Sequence, residues 1–112
     1  MAQVLFDAIR TKAAVSITGS YTTLGTALTH NWRLFKITNN TNGDLLISLD
    51  GTTDNMFVPA NSFVLYDLAT NAPNVHNSDW FVMALNSQFY VKTSTAASTG
   101  AVWLEALYSA GV

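Results

Sequence analysis

The chain has 112 residues, a net charge of −2 and no cysteine, and these properties exclude several classes of protein. A chain of this length forms one domain around one core, and without cysteine it has neither disulfides nor thiolate metal sites. Its five Lys and Arg residues form no cluster, so we expect no binding to nucleic acid. No apolar segment approaches the roughly 20 residues of a membrane span, so we expect no contact with membranes.

Only 11% of the residues are charged, against roughly 25% in ordinary soluble domains. A surface that is poor in Lys and Glu suits lasting contact with other proteins, because few charges must lose their water there. The alternative explanation is an all-β domain whose exposed faces are rich in threonine. Composition alone leaves both explanations open.

The first residues, MAQVLFDAIRTK, form a short arm or helix (residues 1–12) in our prediction, ahead of a β-sandwich domain (residues 13–112). As a helix, the segment would gather apolar side chains into one stripe. As an extended arm, it would lie on a neighbouring subunit. It lacks the basic start and long apolar run of a secretory signal, so we expect the chain to be made in the cytoplasm. The side chains predicted to make the contact with a neighbour are Val4, Leu5, Phe6 and Ile9.

The rest of the sequence predicts β-strands, which appear as short apolar runs bounded by Asn, Gly, Asp, Ser and Thr. Many short strands joined by turns predict a single antiparallel β-sandwich that resembles a jelly roll. The predicted strands are Ala14–Thr18, Trp32–Thr38, Leu45–Leu49, Met56–Val58, Phe63–Leu68, Trp80–Leu85, Gln88–Thr93 and Ala101–Tyr108.

The last predicted strand, AVWLEALY, shows the clearest alternation of side chains. Its two faces consist of Val102, Leu104, Ala106 and Tyr108 on one side and of Ala101, Trp103, Glu105 and Leu107 on the other. Because both sets contain large apolar residues, we expect both faces of this strand to pack against something.

Three sets of residues predict turns. Asn42-Gly43 predicts a tight hairpin, in which Gly43 would adopt a positive φ angle. Asp50-Gly51 predicts the next corner, where the aspartate side chain caps its own backbone. Pro59 has no N–H to donate to a ladder, so we expect it to end the preceding strand or to lie at a sheet edge.

The stretch DGTTDN at residues 50–55 also suggests a calcium site. An EF-hand loop needs glycine sixth and glutamate twelfth, whereas here glycine is second and Asn61 stands twelfth. A different oxygen cage, formed by Asp44, Asp50 and Asp54, remains an alternative. The turn explains the same residues more simply, so we predict no metal site.

No pattern of catalytic residues is visible. His30 and His76 are far apart with no HExxH pairing, and there is no G-x-S-x-G elbow. The only glutamate, Glu105, lies in a predicted strand, where we expect it to face outward. An enzyme would need a cleft that holds one of the histidines beside a carboxylate. We therefore predict a protein with no catalytic residues and no cofactor.

A series of strand and turn signatures extends from Trp32 to Tyr108. The signatures are Ile37, Ile47-Ser48, Asp50-Gly51, Val58-Pro59-Ala60, Tyr66-Asp67-Leu68 with Asn71, Tyr90-Val91-Lys92 and Gly100. Their order resembles that in small virion proteins of tailed bacteriophages. The resemblance implies an antiparallel β-sandwich that is incorporated in many copies into a phage particle.

These observations lead us to expect a non-enzymatic structural protein located in the virion. It would act as a capsid decoration (cement) protein or as a component of the head–tail or tail region. Its expected partners are other copies of itself and virion proteins such as the major capsid, portal or tail proteins. The alternative is a carbohydrate- or receptor-binding module on the particle surface. An exposed aromatic platform would favour that alternative, whereas aromatic residues buried in the core would favour cement.

Overall fold

The computed structural model describes residues 3–68 and 83–110, in which almost all regular structure is β-strand. A 3₁₀ turn at Ala14–Ser16 separates the second strand from the third. Within the described ranges no helix is long and apolar enough to cross a membrane. The strands are β1 (Gln3–Phe6), β2 (Arg10–Ala13), β3 (Thr22–Thr23), β4 (Trp32–Asn39), β5 (Leu45–Ser48), β6 (Met56–Val58), β7 (Ser62–Asp67), β8 (Tyr90–Thr93) and β9 (Ala101–Ala110).

The strands form two antiparallel sheets that pack face to face. The five-stranded sheet has the order β1-β9-β4-β7, with β2 also paired to β9, and the four-stranded sheet has the order β3-β8-β5-β6. Since β1 and β2 pair with successive parts of β9, they act as one interrupted strand. With that strand counted once, the two sheets have the strand order of a jelly roll. The prediction of an all-β, antiparallel sandwich is therefore confirmed.

The core lies between the sheets and follows the alternation of side chains along the strands. In β9, Val102, Leu104 and Ala106 are buried, and they belong to one of the two faces that the alternation defined. The other face was also expected to pack, but its Trp103 and Glu105 are exposed within this chain. At the centre, the ring of Phe89 lies 5.5 Å from that of Trp32 and 5.3 Å from that of Phe35. The buried apolar residues are Ala14, Ile17, Leu24, Leu28, Trp32, Phe35, Ile37, Leu45, Ile47, Val58, Phe89, Val91, Val102, Leu104 and Ala106.

The N-terminal segment differs from its prediction as a helix. Residues 3–6 and 10–13 are strands, and they pair with the free edge of β9, which is ten residues long. An unpaired edge of that length would leave a row of backbone N–H and C=O groups without partners, so strand pairing prevails over the helical spacing. The predicted strand Ala14–Thr18 was also wrong. The chain turns away from the sheet there, in the 3₁₀ turn that follows β2.

The predicted strand Trp80–Leu85 lies partly outside the described residues, as do His76 and Asn71. Met83 is described, and it forms an isolated antiparallel bridge with Trp32. The two backbone hydrogen bonds of this bridge measure 2.9 Å and 2.7 Å. This bridge anchors the start of β4 beside residue 83.

The Asn42-Gly43 turn is not the hairpin that the sequence predicted. It carries the chain from β4 in one sheet to β5 in the other, and neither residue has a positive φ angle. The reason is the fully buried side chain of Asn39. Its amide nitrogen donates to the carbonyls of Gly43 (2.9 Å) and Val58 (3.0 Å). Its amide oxygen accepts from the backbone N–H (2.9 Å) and the hydroxyl (2.6 Å) of Thr41. Asn39 thereby ties the crossover to an edge strand of the second sheet.

The remaining predicted turn residues lie around β6. Gly51 has a φ of +81° in the loop between β5 and β6, next to Asp50, whose carboxylate accepts from the N–H groups of Thr52 and Thr53. Pro59 directly follows β6, which is an edge strand. Asp50 and Gly51 therefore form a turn, as predicted. Pro59 ends an edge strand, where its lack of an N–H group leaves no ladder bond unmade.

Gly43 is required by close packing. A Cβ atom at this position would lie 2.5 Å from the carbonyl oxygen of Thr95 and 2.6 Å from that of Ala96. We expect Gly43→Ala to lower the free energy of unfolding by about 1–3 kcal/mol, as overpacking typically does. Urea unfolding followed by circular dichroism measures this change.

Gly19→Ala is the matched control, because a Cβ atom at Gly19 would meet no atom within 4 Å. We expect that variant to unfold within about 0.5 kcal/mol of the natural protein. Equal stabilities of the two variants would contradict the close-packing explanation.

Candidate assembly surface

The five-stranded sheet has one side in the core and one side that faces away from it. We call the second side the outer face. It consists of side chains that alternate along each strand with the buried ones. Ile9, in the corner between β1 and β2, lies beside it. The larger described side chains of the outer face that lie on strands are those of Phe6, Thr11, Leu34, Lys36, Thr38, Phe63, Leu65, Asp67, Trp103, Glu105 and Leu107.

The strand register arranges these residues in three rows across the sheet. The first row is Phe6, Leu107, Leu34 and Asp67; the second is Glu105, Lys36 and Leu65; and the third is Thr11, Trp103, Thr38 and Phe63. Directly opposed side chains on neighbouring strands are in contact range. The rows therefore form one continuous surface.

Much of this surface is apolar and exposed. The exposed fraction is 80% for Phe6, 58% for Phe63, 54% for Leu65 and 53% for Ile9. Four strands spaced ~4.8 Å apart, with three rows spaced ~6.6 Å, give a footprint of roughly 400 Å². Apolar side chains occupy part of this area, and the largest apolar patch on a soluble monomer is often functional.

A groove of about 360 Å³ crosses the outer face. Its apolar walls are formed by Phe6, Ile9, Leu34, Leu65 and Leu107. A concave apolar surface of this size accommodates large side chains of a partner. The groove thus gives the outer face a shape that a partner can fill.

Two opposite charges lie at the centre of the outer face. Lys36 on β4 is directly opposite Glu105 on β9. The ammonium nitrogen of Lys36 lies 4.7 Å above the ring of Phe63. The carboxylate of Glu105 is exposed, as the sequence predicted, and makes no hydrogen bond or ion pair with the described residues. The face therefore presents one positive and one negative group side by side within an apolar surround.

The structure places Leu5 and Phe6, two of the four predicted interface residues, on opposite sides of the sheet. β1 belongs to the chain's own sheet, where Phe6 pairs with Leu107 and points outward. Leu5 is on the opposite side and is 38% exposed. Val4, also on β1, pairs with Ser109 of β9. Phe6 and Ile9, two of the predicted interface residues, border the groove.

The remaining residues of the outer face were not among the predicted interface residues. Trp103 and Leu107 were recognisable, because the alternation in the last strand placed apolar residues on both of its faces. Leu34, Leu65 and Phe63 gave no such signal. They join the surface only because β7 pairs with β4 and β4 pairs with β9.

The outward side of the four-stranded sheet is smaller and more polar. Lys92 on β8 lies 3.5 Å from the carboxylate of Asp54 and 4.7 Å above the ring of Tyr21. Phe57 on β6 is the large apolar residue exposed there, at 51%. The charges on this side have partners within the chain, in contrast to Glu105.

The aromatic residues are divided between core and surface. Trp32 and Phe89 are fully buried. Trp103 is 37% exposed and Phe63 58% exposed, in the same row of the outer face but on strands separated by β4. Trp80, a further tryptophan, lies outside the described residues. The described aromatics thus form part of the core and part of an exposed apolar face.

One histidine does lie beside a carboxylate, as an enzyme would require. The ring nitrogen Nδ1 of His30 is 3.8 Å from Asp7, and the ring stacks on Tyr108 with centroids 3.8 Å apart. The hydroxyl of Thr29 approaches the same nitrogen, at 3.3 Å. A catalytic triad needs the acid and the nucleophile on opposite ring nitrogens, so this geometry does not match one.

The carboxylate of Asp7 has a structural role that explains its neighbours. It accepts a hydrogen bond from the indole of buried Trp32 (2.7 Å) and lies 3.6 Å from the guanidinium of Arg10. Arg10, itself buried, also donates to the carbonyls of Thr26 (3.0 Å) and Ala8 (3.1 Å). These contacts fasten the corner between β1 and β2 to the core and to the loop before β4.

The three aspartates of the proposed calcium cage are each used within the chain. Asp50 accepts hydrogen bonds from Ser48, Thr52 and Thr53 in its own turn. The hydrogen bonds from Thr53 and Thr52 hold the pKa of Asp50 well below its ordinary range. Asp44 accepts from the N–H of Ala60, and Asp54 from the hydroxyl of Tyr21. Among the described residues no three acidic or histidine side chains are grouped to hold a metal ion.

Comparisons of the chain with protein-family models, with curated proteins and with solved structures found no match.

The Asp7 contacts predict how stability depends on pH. Burial alone would raise the pKa of Asp7, but hydrogen bonds from Trp32 and from the N–H of Ala8, with the charges of Arg10 and His30, outweigh it and lower the pKa below 3.8. A lowered pKa stabilises the fold above the unfolded-state pKa, and this contribution is lost as pH falls through the folded-state pKa.

We therefore expect Asp7→Asn to lower the melting temperature at pH 7, where the natural carboxylate is charged. The difference in melting temperature between the two proteins should shrink as pH falls below about 3.8, the ordinary pKa of an aspartate. Scanning calorimetry from pH 7 to pH 2 measures this. A difference that stays constant over the whole range would contradict the role of the charge.

The turn contacts of Asp50 predict no response to calcium. We expect equal melting temperatures in millimolar calcium and in chelator, since the carboxylate oxygens already accept hydrogen bonds from their own turn. A ligand at a hundredfold excess over its dissociation constant would stabilise the fold by about 2.7 kcal/mol. A rise of several degrees with calcium would therefore establish a cation site.

Proposed function

We propose that this chain is a non-enzymatic structural protein of a bacteriophage virion, and that it acts by adhesion through the outer face. The observation that carries the proposal is the exposed apolar surface of that face, with its groove between Phe6, Ile9 and Leu65. In the described part of the chain, this surface has no role in closing the core.

The fold supports the proposal only in a general way. Jelly rolls occur in viral capsid domains, and also in lectins and cupins, so the function must be argued from the surface. Of the described residues that resemble phage virion proteins, more lie in strands than at turns. Among those at turns, Gly100 has a φ of +85° and packs against the carbonyl of Asn40. These residues specify the fold, and the outer face supplies the adhesion.

The energetics of the outer face fit adhesion. Burying a large apolar side chain contributes roughly 1.5–3 kcal/mol, and Phe6, Phe63, Leu65 and Ile9 are all more than half exposed. Association also costs an estimated 4–15 kcal/mol in lost freedom of motion. Several such side chains must therefore be buried together, which one continuous face permits. The low fraction of charged residues reduces the cost of removing water from the contact.

The partner that the proposal implies is a protein surface in the particle, either another copy of this chain or another virion protein. A decoration protein would be present in hundreds of copies and a neck or tail component in about a dozen, an order-of-magnitude distinction set by the symmetry of each location. Quantifying the chain in purified particles, relative to the major capsid protein, separates these two versions of the function.

The proposal predicts that the outer face is required for incorporation into particles. We expect Phe6→Ser combined with Leu65→Ser to leave the melting temperature of the isolated protein within a few degrees, because both side chains are exposed. The same variant should be lost from particles when it replaces the natural chain in the phage. Gradient-purified particles, analysed by quantitative mass spectrometry, give the copy number.

The matched control is Phe57→Ser, on the outward side of the other sheet, where Phe57 is 51% exposed. We expect this variant to be incorporated normally. Normal incorporation of the Phe6/Leu65 variant would contradict adhesion through the outer face. If that variant enters particles normally but the particles fail to adsorb to cells, the receptor-binding alternative is favoured.

A further inference from the structure

We infer that the outer face binds a second copy of the same chain, with a two-fold axis that runs along the strands between β4 and β9. The inference rests on the proposed use of the outer face as an adhesive surface. It goes beyond that proposal by naming the partner and the geometry of contact.

The first argument is charge complementarity at the centre of the face. Lys36 and Glu105 lie directly opposite each other on β4 and β9. A two-fold axis between these strands exchanges the two positions. Lys36 of each copy then faces Glu105 of the other. The carboxylate of Glu105, which has no partner among the described residues, gains one in both copies at once.

The second argument is that the alternative axis fails. An axis across the strands, along the row of Lys36 and Glu105, would place each charge over its own equivalent. Like charges in direct opposition within an apolar contact are strongly unfavourable. The charges therefore select the axis that runs along the strands.

The third argument is the apolar match that the same axis produces. Leu34 and Leu107 occupy equivalent positions on either side of the axis, as do Thr38 and Trp103. Leucine therefore faces leucine, and tryptophan faces the methyl group of threonine. Sheets that pack this way keep their strands within about 30° of each other and lie ~10 Å apart. Phe6 and Asp67, at the two ends of one row, lie at the rim of the contact.

The test exchanges the two charges. We expect the natural protein to form a dimer in sedimentation equilibrium. At the centre of each face, Lys36→Glu gives two negative charges and Glu105→Lys gives two positive charges. Each variant alone should self-associate at least tenfold more weakly than the natural protein. A mixture of the two variants should form a heterodimer, because every opposed pair is then complementary.

The mixture separates contact between copies from contact within one chain. If Lys36 and Glu105 mattered only to each other in the same sheet, the mixture would remain monomeric, and that outcome would overturn the inference. The double variant, with both charges exchanged, should dimerise like the natural protein. Lys92→Glu, on the outward side of the other sheet, makes the same change in net charge as Lys36→Glu and should leave dimerisation unchanged. Circular dichroism establishes that each variant is folded.

The outcomes also distinguish this inference from the proposed function. If the natural protein is monomeric at millimolar concentration, the inference is wrong; the proposed function still stands if the Phe6/Leu65 variant is lost from particles. If the natural protein dimerises as described but the Phe6/Leu65 variant is incorporated normally, the dimer stands and the proposed function is wrong.

Discussion

The structure depends on strand β9, whose side chains alternate between the core and the outer face. β9 pairs with β1 and β2 along one edge and with β4 along the other, so its backbone joins most of the five-stranded sheet. Its alternate side chains enter the core at Val102 and Leu104 and form the outer face at Trp103 and Glu105. A shift of one residue in its register would exchange these two sets. The same constraint therefore specifies the core and the adhesive surface together.

Buried polar residues hold the connections between strands in place at the ends of the sandwich, away from the outer face. The buried amide of Asn39 fastens the crossover from β4 to β5. Asp7 and Arg10 fasten the corner between β1 and β2 to Trp32 and to the following loop. Buried polar groups of this kind need all their partners, and these have them within the chain. Stability and adhesion are thus assigned to different residues.

The sequence predicted those parts of the fold that depend on local pattern. β4, β5, β6, β7, β8 and β9 were found because alternation and flanking turn residues define them within a few positions. β1, β2 and the two-residue β3 were missed. The apolar residues of the N-terminal segment also fit a helix, and the pairing of β1 and β2 depends on the distant β9. Gly43 was recognised as a turn residue for the wrong reason, because its contact with Thr95 and Ala96 is tertiary.

The same limit applies to the surface. Phe6 and Ile9 were predicted because they are apolar residues near a terminus, whereas Leu34 and Phe63 needed the strand register before they could be assigned. The pairing of Lys36 with Glu105 across 69 positions of sequence follows from that register alone. The chemistry of a site can be predicted from its residue types. A surface composed of several strands can be predicted only when the pairing of those strands is known.

The burial of Asn39 has a consequence for how such a protein can diverge. Residues that close the sandwich, such as Asn39, Gly43 and Gly100, meet backbone atoms at short range and tolerate few replacements. The outward side chains of β4, β7 and β9 lie on the surface, outside the core. Mutation can therefore alter the partner, or remove it, while the scaffold persists. Related chains would then share these turns and differ in the partner that they bind.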